Sequence, residues 1–134
     1  MENNNLIKFP LHIEENGYLS VFEVGKDIPF NIQRVFTVTA LEADIRGEHA
    51  HKKCSQLLVC VHGTIKVRWD DGYSKGIVLL EKMSEGFLIQ PGVWATQEYL
   101  EGHSVLMVLC DRIYEAEDYI RDYNEFLSWV KQKK

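Results

Sequence analysis

The run Arg46-Gly47-Glu48-His49-Ala50-His51-Lys52-Lys53 brings two imidazoles, a guanidinium, a carboxylate and two ammonium groups into one short stretch. In an extended strand, residues two apart project to the same side, so His49 and His51 point together past Ala50. If that side is the interior of a barrel, two imidazoles share one pocket with Arg46 and a lysine nearby. Paired imidazoles suit two tasks. One is metal ligation, and the other is general acid–base catalysis near neutral pH. Lys52 and Lys53 are adjacent and face opposite ways in a strand; one of them reaches the pocket, and the sequence leaves open which.

A scaffold for such a pair is written in short β-like segments separated by turn residues. Tyr18 to Val24 is one, and Ile32 to Ala40 is another, with Val35, Thr37 and Thr39 alternating against Arg34, Phe36 and Val38. Gln56 to Val61 is apolar throughout and short enough for a strand buried on both faces. Thr64 to Trp69 alternates again and stops at Asp70-Asp71-Gly72, a hairpin signal. Ile77 to Leu80, Phe87 to Gln90 and Ser104 to Leu109 complete the series, with a corner at Pro91-Gly92. Short strands at near-regular spacing predict an all-β, closed or two-sheet antiparallel fold.

The last twenty residues change period. Ala116, Tyr119, Ile120, Tyr123, Phe126, Leu127 and Val130 fall at helical spacing, which predicts a C-terminal helix packed across one end of the barrel. Glu115, Glu117 and Asp118 would lie in its first turn and Lys131, Lys133 and Lys134 at its end, complementing the macrodipole.

The whole chain, 134 residues, is long enough for one domain spanning 1–134 that buries about two-thirds of its unfolded surface. A hydrophobic fraction of 46% and a charged fraction of 26% are ordinary for a globular protein and exclude disorder as a description of the whole. Fifteen basic against twenty acidic residues give a formal net charge of −5, which argues against a nucleic-acid surface while leaving room for a local phosphate site. No apolar run approaches the roughly 18 residues of a membrane span. Met1 to Asn5 lacks the pattern of a signal peptide, so we expect a cytoplasmic protein. Three cysteines, Cys54, Cys60 and Cys110, form no C-x-x-C pair and predict neither a disulfide framework nor a zinc knuckle. His12, His62 and His103 read as solvated, and Trp69 and Trp129 as packing residues.

Gly47-x-His49-x-His51, followed by Gln56 and Gly63, resembles the first signature of the cupin superfamily. Gly86, Pro91-Gly92 and Ala95 resemble the second. A metal-binding cupin would carry glutamate at Gln56 and a third histidine at Ala95, so the resemblance implies a site without a metal. More closely, the chain resembles the metal-independent sugar 3,4-ketoisomerases, small cupins acting on thymidine-diphosphate-4-keto-6-deoxyglucose. The matching segments are Ile28 to Val35, Arg46 to Lys53, Gln56 to Gly63, Pro91 to Trp94 and Asp118 to Phe126, which span nearly the whole chain. The resemblance implies a cupin-type jelly-roll barrel, a homodimer, a nucleotide-linked keto-sugar as partner, no cofactor, and a role in making deoxysugars for surface glycans such as lipopolysaccharide O-antigen.

Moving a ketone from C4 to C3 proceeds through an enediolate. The C3 proton is acidified by the neighbouring carbonyl, so a neutral imidazole can remove it. A second imidazole or a cation can serve the developing oxyanion. By resemblance His49 is the base and His51 the partner donor or shuttle. Arg34 and Arg46 are candidates to grip the pyrophosphate, since guanidinium forks suit phosphate oxygens. Thr37, Lys52, Gln56 and Trp94 complete the expected substrate contacts, Trp94 by stacking on the base. Two positions depart from the family pattern. Phe36 and Thr37 replace a Tyr-Tyr pair, and Ala95 replaces a histidine. Epimerisation at C3 or C5, non-catalytic sugar-nucleotide binding and metal-dependent oxygenation are the competing readings.

Overall fold

Among the described residues twelve strands precede one C-terminal α-helix, and their order in space makes two five-stranded sheets that face each other. The computed structural model describes residues 5–133; the N-terminal Met1 to Asn4 and Lys134, which the sequence reading also used, lie outside the described residues. The strands are β1 (Leu6–Lys8), β2 (Leu11–Glu14), β3 (Gly17–Ser20), β4 (Arg34–Thr39), β5 (Asp44–His51), β6 (Gln56–His62), β7 (Ile65–Asp70), β8 (Lys75–Leu80), β9 (Glu85–Ile89), β10 (Trp94–Tyr99), β11 (Val105–Cys110) and β12 (Tyr119–Ile120). One sheet has the order β1-β9-β6-β11-β4 and the other β12-β5-β10-β7-β8; β2 and β3 form a separate hairpin. Among the described residues the pairings between these strands are antiparallel, as a jelly roll requires.

Alternation explains which side chains enter the space between the sheets. Along β7, Ile65, Val67 and Trp69 are buried while Arg68 is exposed. They meet Leu58, Cys60, Leu106, Val108 and Cys110 from the opposite sheet in the main core. The apolar run of β6 is buried on both faces. Leu58 and Cys60 point into that core, and Leu57 and Val59 join a second cluster with Phe9, Ile28 and Leu109 on the outer side of their sheet. The turn after β7 is held by Asp70, whose carboxylate accepts from the Gly72 N–H at 2.8 Å, with Gly72 at φ +91°.

The C-terminal expectation is corrected in part. Helix α1 runs from Tyr123 to Gln132, about half of the expected length, with Asp122 as N-cap accepting from the Glu125 N–H at 3.0 Å. The residues before it form a 3-10 turn at Ala116–Asp118 and then β12, which pairs with β5 through Tyr119↔His51 and Ile120↔Ala50. Ile120, Phe126 and Val130 do share one buried cluster, under the helix and against Ala50 on the outer side of β5. Asp118 is not a helix-dipole residue. Among the described residues no helix is long and apolar enough to cross a membrane.

Candidate active site

The histidine wall is built by a bulge in β5. On the neighbouring strand Ala95 pairs with His49 and Gln97 with Arg46, so Gly47 and Glu48 together face the single residue Thr96. Gly47 takes φ +93° and Glu48 φ +48°, the left-handed values such a bulge needs. The extra residue changes the parity of the strand. Arg46 and His49, three apart in sequence, thereby come to the same face, the one shared with the inward-facing Ala95 and Gln97. A Cβ on Gly47 would also stand 2.5 Å from Gln97 Oε1. Gly47→Ala should therefore cost about 1–3 kcal/mol of stability and lower turnover together with Tm, read by thermal melts and steady-state rates; an unchanged Tm would contradict the bulge.

His49 and His51 both face inward, their ring centroids 5.0 Å apart and nearly perpendicular. His49 is half-buried, and its Nδ1 lies 2.7 Å from the Gly47 carbonyl oxygen. A carbonyl only accepts, so Nδ1 carries the proton and the Nε2 lone pair is free. His51 lies deeper, 6% exposed, with Nδ1 2.9 Å from Asp118 Oδ2. Its Nε2 is buried without a protein partner. The Asp118 carboxylate is itself fixed by the Lys53 N–H at 2.7 Å and the Cys54 N–H at 3.3 Å. A carboxylate behind an imidazole holds one tautomer and one orientation.

Burial sets the charge state of both rings. It draws His49 from 6.5 down to about 4, against the raising effect of the Gly47 carbonyl and with help from the nearby His51 and Arg121. His51 is also lowered by burial, which outweighs the Asp118 carboxylate that raises it. Burial alone would raise Asp118, but the His51 hydrogen bond and the two amides hold it below the usual carboxylate range. The site thus rests as two neutral imidazoles and one carboxylate near pH 7. A histidine whose folded pKa lies below its unfolded value makes the folded chain bind fewer protons than the unfolded one. Stability contributed this way is present above pH 6.5 and is lost as pH falls toward 4. The Tm should accordingly drop on acidification through that window, and His49→Asn should flatten the slope.

Aromatic and cationic groups close the mouth. Tyr119 packs its ring 5.0 Å from His49 and 4.3 Å from His51. The Arg121 guanidinium lies 4.4 Å over Tyr119, and Arg34 lies 4.6 Å from the Phe36 ring and 5.1 Å from that of Tyr114. Across the barrel, Arg34, Cys110, Gln56 and Ile89 form one cross-strand row on the inner face of the other sheet. Gln56 is buried there, with Nε2 3.5 Å from Cys110 Sγ.

Among the expected site residues, the structure places His49 and His51 together on one wall, with Arg46 on their face at the exposed side of the bulge, and Arg34 and Gln56 in one row on the inner face of the other sheet. Three expectations are corrected. Thr37 is exposed on the opposite face of β4 from Arg34, paired with Met107 on the outer side of the sheet. Lys52 lies beyond the end of β5, and both it and Lys53 are exposed, so neither lysine enters with the imidazoles. Trp94 points outward, opposite to Ala95, and packs under the helix at 5.4 Å from Tyr123 and 5.8 Å from Phe126. Sequence reasoning missed Asp118, Tyr119 and Arg121 as site residues.

The fold raises the question of a cupin metal. Its usual ligand positions here hold His49, His51, Gln56 and Ala95. Ala95 offers a methyl group, and the Gln56 amide is turned toward the Cys110 sulfur. A catalytic site wants about three protein donors around the ion. Two imidazoles and a carboxamide already engaged elsewhere do not fit, and no step is routed through a metal.

A two-sheet antiparallel jelly-roll barrel with an imidazole pair on its inner face is of the cupin type; the fold is shared with the RmlC epimerase of Mycobacterium tuberculosis, at a TM-score of 0.73 and 17% identity over 85% of this chain and 66% of that one. Within that class, the chain belongs to the family described as FdtA, WxcM-like C-terminal, whose model matches residues 2–131. It is 36% identical over 128 residues to TDP-4-oxo-6-deoxy-alpha-D-glucose-3,4-oxoisomerase of Aneurinibacillus thermoaerophilus, covering 95% of this chain and 92% of that protein. QdtA, a sugar 3,4-ketoisomerase from Thermoanaerobacterium thermosaccharolyticum solved with TDP, superposes at a TM-score of 0.90 with 36% identity, over 96% of this chain and 94% of that one.

Proposed function

We propose that this protein is a 3,4-ketoisomerase of a TDP-linked 4-keto-6-deoxyhexose, working without a metal. The observation that carries the reading is the pair of neutral imidazoles with free Nε2 atoms at one end of a barrel whose family relatives are sugar 3,4-ketoisomerases.

The reaction moves two protons. One travels from C3 to C4, and the other from the C3 hydroxyl to the C4 oxygen. Two imidazoles can divide them. His49 is the ring with access to the mouth, and its Nε2 takes the C3 proton, leaving an enediolate; the same ring returns a proton to C4. His51 accepts the hydroxyl proton at Nε2 and passes it to the C4 oxygen. The Asp118 carboxylate stabilises the imidazolium that forms in between. Arg34 and Arg121 flank the pair and match a pyrophosphate in charge and fork geometry. Their positive charge disfavours protonated histidines until the phosphates enter.

We further propose that the chain works as a homodimer. The β2–β3 hairpin stands apart from both sheets, with Ile13 74% and Tyr18 66% exposed, and an isolated two-stranded hairpin is marginally stable on its own. A second copy would cover it.

Incubation with TDP-4-keto-6-deoxyglucose in deuterated water tests the reading. The half-buried His49 exchanges its captured proton with solvent, so deuterium should arrive at C4 with the ketone at C3. Exchange at C3 or C5 with the C4 ketone intact would instead mark an epimerase, and tight binding without any exchange a non-catalytic binder.

A further inference from the structure

We propose that His51, Cys54 and Asp118 form a binding site for a thiophilic divalent cation, Zn2+ in the first instance, whose occupancy switches the histidine pair off. The inhibitory half of this proposal rests on the isomerase reading; the site itself does not. One ligand atom from each of the three residues lies within 4.8 Å of the other two, and all three residues are buried. His51 contributes Nδ1, the atom facing Asp118, not the Nε2 left for the substrate.

The donor set is a mixed N/S/O set suited to zinc. Metal–ligand bonds of about 2.0 to 2.3 Å place ligand atoms roughly 3.3 to 3.6 Å apart in a tetrahedral shell. The 2.9 Å separation of His51 Nδ1 and Asp118 Oδ2 needs to open only slightly, and the thiol needs a side-chain rotation. Asp118 Oδ1 and Oδ2 are already oriented by the Lys53 and Cys54 amides, so the carboxylate is held before an ion arrives.

Access is separate from the substrate side. A cavity of about 290 Å³, lined by Lys52, Lys53, Glu115, Glu117 and Asp118, opens onto the carboxylate. Arg34 and Arg121 oppose a cation near His51, while the Asp118 carboxylate and the Cys54 thiolate formed on binding supply two negative charges. Binding releases one proton to solvent, from Cys54 Sγ, while the His51 proton moves from Nδ1 to Nε2, so the ring stays neutral and its substrate-side nitrogen can no longer accept. The metal then stands where the Nδ1 proton was, and His51 loses the carboxylate that supports its imidazolium. Proton relay between the two sugar oxygens stops.

Cobalt chloride added to the purified full chain provides the test, because a thiolate bound to Co2+ gives a charge-transfer band in the near ultraviolet. One equivalent should produce the band, zinc chloride should displace it, and Cys54→Ser should abolish it while Cys60→Ser leaves it intact. Circular dichroism checks that Cys54→Ser is folded, and Cys54→Ala replaces it if it is not. With TDP-4-keto-6-deoxyglucose, one equivalent of zinc should lower turnover of the unaltered protein at least about tenfold, reversibly on chelation. Absence of the band, or its persistence in the Cys54 variants, overturns the site. A band with undiminished turnover overturns the switch. Since the band needs no turnover, it decides the site even if no isomerase activity is found.

Discussion

His49→Asn should lower kcat at least about a thousandfold and leave KM for the sugar nucleotide within about threefold, a loss in the range general-base removal produces. Asparagine keeps a donor for the Gly47 carbonyl, so the bulge and the pocket walls survive while the proton acceptor disappears. His49 is the more exposed of the two rings, and with Nδ1 donating to the Gly47 carbonyl its Nε2 lone pair is the one assigned to the C3 proton. The pH profile carries a second signature. With His49 drawn down to about 4, kcat/KM should stay level across neutral pH and fall only as the pH approaches that value. Steady-state rates on TDP-4-keto-6-deoxyglucose measure both. Retention of more than a tenth of the activity would move the base elsewhere, with His51 as the first candidate.

Asp118→Asn should cost about two to four decades in kcat with the fold intact. The asparagine carbonyl, in the place of Oδ1, can still accept from the Lys53 N–H at 2.7 Å, while its NH2 takes the place of Oδ2 and only the longer Cys54 N–H bond is lost. What it cannot supply is a negative charge behind Nδ1. An amide NH2 facing that nitrogen would donate to it, forcing the proton of His51 onto Nε2, the atom that must stay free. Asp118 is thus a positioning residue. The nitrogen resonances of the His51 ring report the tautomer directly: a protonated Nδ1 in the parent and a protonated Nε2 in the variant. A drop in turnover with an unchanged tautomer would assign Asp118 a purely structural part.

The barrel was legible because half-buried and fully buried strands leave different marks. Ile65, Val67 and Trp69 alternate with charged residues, and Gln56 to Val61 does not alternate at all; the structure has one face and two faces buried in these strands, respectively. Strand β10 left no such mark, because its inward positions are Ala95, Gln97 and Tyr99, a mixture with no apolar period. Thr37 could have been refused on parity alone. Arg34 and Thr37 are three apart in a regular strand, so both cannot face one pocket, and the two exchanged faces only where a bulge intervened, as between Arg46 and His49.

The C-terminal error had a physical source. Ala116, Tyr119, Ile120 and Tyr123 happen to fit helical spacing, yet Ala116 sits in a 3-10 turn and Tyr119 and Ile120 pair with β5 before the helix begins at Tyr123. The stop was written in Asp122 and Glu125, a capping signature that starts the helix where it does start. Taken as the first turn of a helix, Asp118 was a dipole charge; placed before a cap, it is free to turn back toward His51. Gln56, by contrast, could be placed by its position in an apolar strand, and it lies buried on the inner face.

The carboxylate that completes the dyad lies 67 residues after the histidine it serves, at the end of a 3-10 turn just before the two-residue strand laid against the edge of β5. During translation the histidines, the bulge and most of both walls leave the ribosome first, and the chain has no working proton relay until its final segment emerges and zips into place. Termination between Cys110 and Asp118 would release a chain that keeps every residue of the main core but has nothing to hold His51 in register for chemistry. Selection against truncated product therefore acts on turnover before it acts on solubility.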